Sequence, residues 1–87
     1  MKSATLPSFW KTYHVLGKSI QRRAKKAFTL WTDDPFYPSL HFKCINTEEN
    51  LWSLRVTLNY RAVGIWEGDR IVWFWIGNHD DYEQFFS

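Results

Sequence analysis

With 87 residues, 45% of them apolar and 20% aromatic, including six tryptophans, the chain is sized for one domain, residues 1–87, whose small core requires no disulfide or structural metal. A single cysteine, Cys44, rules out an intramolecular disulfide and fits a reducing, cytoplasmic compartment; the opening residues lack the apolar run of a signal peptide, and no window approaches a membrane span. The formal charge of +2 hides a division, because residues 1–46 set eight cations against Asp33 and Asp34 while residues 47–87 set three arginines against seven acids, so the first half favours a polyanion or an acidic protein as partner.

In chain order, Phe9, Trp10, Tyr13 and Leu16 recur at helical spacing behind Pro7, which a helix tolerates only near its start. Gly17 is expected to stop this first helix. A second begins near Ser19, a suitable N-cap, and carries Ile20, Ala24, Ala27, Phe28 and Trp31 along one stripe. It ends before Asp34-Pro35, since a residue preceding proline avoids helical geometry. A short link makes the two helices an antiparallel hairpin, and Pro35 and Pro38 frame the connector that follows.

Beyond Pro38 the texture becomes β, with strands expected over residues 40–45, 51–57, 59–67 and 70–76, joined by short turns into an antiparallel meander. The last of these is apolar at every position, which predicts cover on both of its faces. Two helices blanket one face. The other requires residues 80–86, a second subunit or a separate protein. The expectation is therefore an α+β fold: a two-helix hairpin on a four-stranded antiparallel sheet, with a short helical C-terminus.

Arg55 and Arg61 stand inside otherwise apolar strand text, and a permanently charged guanidinium there needs an anionic partner or an exit to solvent. His79 follows the last strand and delivers an imidazole to the sheet end. Two cations and a titratable ring suit metal-free RNA cleavage: the cations stabilise the phosphorane, and the ring moves protons. They equally suit a plain binding face, and other readings compete. Arg55 could pair with Glu48, Glu49 or Glu67 across strands, and His79 could cap the last segment. Tyr82 fits a base-stacking ring or a helix anchor. Lys43 fits a phosphate contact or a solvated edge lysine. Arg22, Arg23, Lys25 and Lys26 fit a solvated helix face or a docking stripe for RNA. The spacing of His14, His41, His79 and Cys44 matches no zinc pattern, no serine or cysteine triad has its strand-turn motif, and no cofactor is implied.

The order of these features resembles the RelE/ParE superfamily, the toxins of bacterial type II toxin-antitoxin pairs. The likeness runs from Pro7 to Phe85. It is carried by Ile20-Gln21-Arg22-Arg23-Ala24-Lys25-Lys26-Ala27, by Asp34-Pro35-Phe36-Tyr37-Pro38-Ser39-Leu40, by Trp52-Ser53-Leu54-Arg55-Val56 and Asn59-Tyr60-Arg61-Ala62-Val63, and by the ending Trp73-Phe74-Trp75-Ile76-Gly77-Asn78-His79. The nearest resemblance is to compact ParE-like toxins. Family members usually open with a strand, for which residues 3–6 leave room only for a stub. The resemblance implies a cognate antitoxin as partner, and either ribosome-dependent mRNA cleavage, as in RelE-like toxins, or poisoning of DNA gyrase, as in ParE-like ones. A non-catalytic binding member is the third possibility. On the cleaving reading Arg61, Arg55 and His79 are catalytic, while Lys43, Tyr82, Arg22, Arg23, Lys25 and Lys26 contact RNA. Two departures stand out: Asp80 replaces the arginine usual after the histidine, and the lysine-rich strand of strong cleavers reads Trp52-Ser53-Leu54 here.

Overall fold

The computed structural model describes residues 1–86. Its elements in chain order are β1 (Lys2–Thr5), α1 (Pro7–Tyr13), α2 (Lys18–Asp33), a 3-10 turn (Pro38–Leu40), β2 (Lys43–Asn46), β3 (Leu51–Thr57), β4 (Tyr60–Glu67), β5 (Arg70–Asn78) and α3 (His79–Phe86). The sheet has five strands in the order β1-β5-β4-β3-β2. The expected four-strand meander is present in β2 to β5, but β1 adds a fifth strand, parallel to β5, from Lys2 opposite Arg70 to Thr5 opposite Trp73. The four residues of β1 carry no alternation of their own. Their strand geometry comes from docking on the open edge of β5, which no local pattern announces.

Beyond Thr5 that edge is taken over by α1. Thr12 Oγ1 accepts from the Ile76 amide at 3.2 Å, and Ser8 Oγ donates to the Phe74 carbonyl at 2.8 Å. A helix thereby satisfies backbone groups that an exposed edge would offer to a neighbouring chain. α1 ends at Tyr13, earlier than the apolar spacing through Leu16 suggested. Gln21 Nε2 ties down the turn that follows, donating to the carbonyls of Tyr13 (3.2 Å) and Leu16 (3.1 Å), while the Leu16 amide donates to the same Tyr13 carbonyl at 3.1 Å. Gly17, expected to close the first helix, is instead the N-cap of α2, so the expected cap Ser19 lies inside that helix. The connector also shortens β2: Pro38–Leu40 forms the 3-10 turn and His41 follows in left-handed geometry, so the strand begins at Lys43.

The helices α1 and α2 cover one face of the sheet. Trp31, Leu54, Ile71, Trp73 and Ile76 are fully buried there, with the Trp73 ring meeting Phe28 at 5.1 Å and Trp31 at 5.4 Å, both edge-on. Phe9 of α1 meets Phe28 of α2 at 5.7 Å and ties the two helices together.

A bulge explains how β5 feeds both faces. Val63 pairs with Trp75 and the next residue, Gly64, pairs with Trp73, leaving Phe74 as the extra residue. Strict alternation would send both tryptophans to one side. The bulge leaves Trp73 beneath the helices and turns Trp75 to the opposite face, where Phe85 and Phe86 of α3 pack against it at 6.3 and 5.2 Å. Of the three covers considered for that face, residues 80–86 supply part.

Candidate functional site

The face opposite α1 and α2 carries the two strand arginines. Arg55 on β3 and Arg61 on β4 are direct cross-strand partners, and Arg61 in turn stands opposite Gly77 on β5. Two like charges placed face to face repel. Among the described residues no carboxylate lies within ion-pair distance of either guanidinium; the ion pairs present are Lys2 with Asp69 and His79 with Glu83. The pairing of Arg55 with Glu48, Glu49 or Glu67 considered from the sequence is therefore absent. Glu48 and Glu49 lie in the turn before β3, at the other end of the strand from Arg55, and Glu67 closes β4 opposite Arg70.

Each arginine is held by an aromatic ring instead. The Arg61 guanidinium sits 5.7 Å from the centroid of the Tyr82 ring, a cation–π arrangement. Tyr82 is 7% exposed, so in this arrangement its ring is the platform beneath Arg61. Arg55 Nη1 lies 3.0 Å from Nε2 of His41. Both arginines are half-buried, with their donors only partly used.

His79 opens α3. Its amide donates to the Asn59 carbonyl at 2.7 Å, its ring stacks on Tyr82 at 6.0 Å, and its Nε2 lies 3.4 Å from Glu83 Oε1, one helical turn on. Nδ1 is buried with no hydrogen-bond partner among the described residues. The helix cap is Asn78, whose Oδ1 accepts from the Asp81 amide at 2.8 Å, so the capping role considered for His79 falls to its neighbour. Arg61, Tyr82 and His79 thus form one cluster at the junction of β4, β5 and α3.

Lys43 pairs with Ser53, two residues from Arg55 on the same strand, so period-two alternation sets Lys43 on the arginine face. Its side chain is exposed. The four α2 cations are exposed but do not act as one group. Arg23 and Lys26 line an open cleft of about 920 Å³ together with Arg55, Ser39, Leu40, Thr57 and Leu58. Lys25 lines a different groove of about 400 Å³, among Ser3, Thr5, Phe9, Trp10 and Trp73. Arg22 borders neither of these. Of the residues singled out, the structure joins Arg23 and Lys26 to Arg55, and Arg61 to His79 and Tyr82, while Lys25 and Arg22 point to other surroundings.

His41 is the site neighbour that sequence reasoning passed over. No pattern in the sequence marked it: His41 precedes β2, in left-handed geometry after the 3-10 turn, and its ring reaches Arg55 from there. Among the described residues there is no cluster of His, Cys, Asp and Glu able to hold a metal ion, and no helix is long and apolar enough to cross a membrane.

Comparison with known proteins agrees with this architecture. Residues 18–84 match the family model described as the ParE-like toxin domain. The fold is similar to a YoeB/ParE toxin from Agrobacterium tumefaciens, at 19% identity over 91% of this chain and 99% of that one, with a TM-score of 0.71. It is also similar to a chain of the RelB-RelE antitoxin-toxin complex from Methanococcus jannaschii, at 19% identity over 97% and 99%, with a TM-score of 0.76. An archaeal RelE-RelB complex from Pyrococcus horikoshii gives 15% identity over 88% and 92%, with a TM-score of 0.68. No curated protein matches the chain.

Proposed function

The chain belongs to the ParE-like toxin domain family, among the RelE/ParE toxins of toxin-antitoxin systems, and on that premise we propose that it halts translation by cutting mRNA at the ribosome. The observation that carries the reading is the Arg55–Arg61 pair, two guanidiniums in direct register and without carboxylate partners among the described residues. Among the described residues such a pair has no carboxylate to compensate its charge, and an anion would do so. A phosphodiester supplies the anion, because each guanidinium offers planar, paired donors to phosphate oxygens.

In the reaction this implies, the 2′-oxygen of the preceding ribose attacks phosphorus and loses its proton to a base. The bond from phosphorus to the 5′-oxygen of the next nucleotide breaks, that oxygen takes up a proton, and a cyclic phosphate remains. Arg55 and Arg61 stabilise the charge that builds on the non-bridging oxygens, and donors aimed at such developing charge typically contribute more to catalysis than any other group. His79, its ring oriented by Glu83 and Tyr82, exchanges the proton. Lys43 contacts a flanking phosphate, and Tyr82 holds Arg61 in place.

Arg23 and Lys26, with Arg22 and Lys25 on the same helix, dock on ribosomal RNA in this reading. A cognate antitoxin is the silencing partner, as antitoxins accompany the similar chains in the Methanococcus and Pyrococcus complexes.

One observation favours the gyrase-poisoning reading instead: beside the arginine pair β3 presents Ser53 and no lysine, and Asp80 follows His79. Induced expression separates the two. The ribosomal reading expects protein synthesis to stop with mRNA cut within codons. An SOS response with intact mRNA would overturn it in favour of gyrase, and unimpaired growth with folded protein would leave a non-catalytic binding member.

A further inference from the structure

His41 carries three observations that the proposed chemistry does not use. Its Nε2 is 3.0 Å from Arg55 Nη1. The strand register sets Gly77, Arg61 and Arg55 in one row across β5, β4 and β3, and the contact with Arg55 places His41 at the end of it. And His41 is a non-glycine residue at φ 45°, ψ 42°, left-handed geometry that is unfavourable for most side chains, although histidine is among those that tolerate it.

The chemistry of the first contact is decided by its donor. A guanidinium has five N–H groups and no acceptor, so Arg55 must donate and Nε2 of His41 must accept. An imidazole can accept there only through an unprotonated Nε2, as in the tautomer that carries its proton on Nδ1. A phosphate oxygen entering the row brings lone pairs to the same place. It competes for the Arg55 donors, and it meets the Nε2 lone pair unfavourably unless Nε2 becomes protonated. Once protonated, Nε2 can no longer accept from Arg55, and it becomes a third cationic donor in the row.

We propose that His41 is a further residue of the anion site: in the unoccupied protein its neutral ring holds the Arg55 guanidinium, and when a phosphodiester of single-stranded RNA binds along Arg61, Arg55 and His41 it takes up a proton, releases Arg55 and donates to the phosphate. The proposal rests on the RNA reading above for the identity of the ligand and on the row itself for the site. The neighbourhood is cationic: Arg55 is in contact with His41, Arg61 is the next residue of the row, Lys43 stands two residues on, and Arg23 and Lys26 line the cleft that Arg55 borders, where Asp33 is the one acid among the lining residues. A bound phosphate brings negative charge to that row, and proton uptake is thereby coupled to its binding. Because His41 acts partly through Arg55, it is a positioning residue as well as a donor.

The test uses the whole chain, nitrogen-labelled at histidine, and a short uridine oligonucleotide carrying 2′-deoxyribose at each position so that it is not cut. The imidazole nitrogen spectrum should show His41 neutral with its proton on Nδ1 in the unbound protein and as imidazolium at saturation, and binding enthalpies in two buffers of different ionisation heat should report about one proton taken up per oligonucleotide. His41→Gln keeps an acceptor for Arg55 but takes no proton. It should remove the uptake, flatten the pH profile of binding between about pH 5 and 8 and weaken binding roughly tenfold. A ring that stays neutral and bonded to Arg55 at saturation, or a glutamine variant with wild-type affinity and pH profile, overturns the proposal. If the oligonucleotide does not bind, the RNA reading fails, and inorganic pyrophosphate takes its place. Proton uptake by His41 with pyrophosphate keeps the row as an anion site, and no binding or no uptake removes it.

Discussion

The indole of Trp75 lies across Gly77, so that a Cβ at position 77 would come within 2.5 Å of the ring. Gly77 is also the cross-strand neighbour of Arg61, and the same indole is the surface on which Phe85 and Phe86 settle. One missing side chain therefore lets α3 close down beside the arginine row. Gly77→Ala should push the indole aside, lower stability by about 1–3 kcal/mol and loosen α3. Urea unfolding, with tryptophan emission as a second readout, checks this; an unchanged midpoint would show that the ring has room to move.

Arg61→Ala removes one of two facing like charges and also the cation–π contact with Tyr82, effects of opposite sign and each at most about 1 kcal/mol. The variant should fold with nearly unchanged stability. Toxicity on induction should nevertheless be lost while antitoxin binding remains. Thermal unfolding beside a growth assay measures both, and a stable, fully toxic variant would remove Arg61 from the site.

Thr12→Val keeps the shape of the side chain but takes away the oxygen that accepts from the Ile76 amide. An amide on the β5 edge then loses its partner, which costs about 1–3 kcal/mol when the group is shielded from water. Denaturant unfolding should show that loss, and hydrogen exchange should place faster opening at Ile76. Protection unchanged at Ile76 would mean that water replaces the hydroxyl.

Charge removal on α2 should sort by side. Arg23→Ala and Lys26→Ala, which line the same cleft as Arg55, should each weaken binding of single-stranded RNA and reduce the slope of log affinity against log salt by about 0.7. Lys25→Ala, in the other groove, should change the slope far less. Equal slopes for all three variants would mean that the helix contributes a diffuse field and no contact.

The Lys2 ammonium, 3.2 Å from Asp69, bonds to that carboxylate and holds it below the usual carboxylate range. The folded-state value is lower than the unfolded one, so the pair stabilises at pH above the unfolded carboxylate value and the gain is lost as pH falls through the lowered one. Both groups are exposed and screened by salt, which keeps the effect small. Asp69→Asn should be slightly less stable than the parent at neutral pH and low salt, with the two converging in acid. Denaturation curves at both pH values compare them, and a gap that persists in acid would point to a cause other than the ion pair.

Much of the architecture was legible because burial leaves a local period. The stripe Ala24, Ala27, Trp31 marked α2 and the face it buries, and the unbroken apolar run of β5 announced two covered faces. Arg55 and Arg61 stood out because a permanent charge within strand text has few explanations. What the chain alone determined, then, was the helical or extended character of α1, α2 and the four strands β2 to β5, and which residues carry charge into the sheet. It left undetermined every relationship between segments far apart in sequence.

Those relationships came from tertiary structure. β1 becomes a strand only by docking on β5, with nearly the whole chain between them. The bulge at Phe74 decides that Trp73 and Trp75 face opposite sides, and His41, in left-handed geometry after the 3-10 turn, meets Arg55 of β3. The path of α2 over the sheet sets Arg23 and Lys26 on the side away from Lys25. The physical reason is that a period records which face of an element is apolar, whereas register and docking are settled when all the apolar faces close on one another at once.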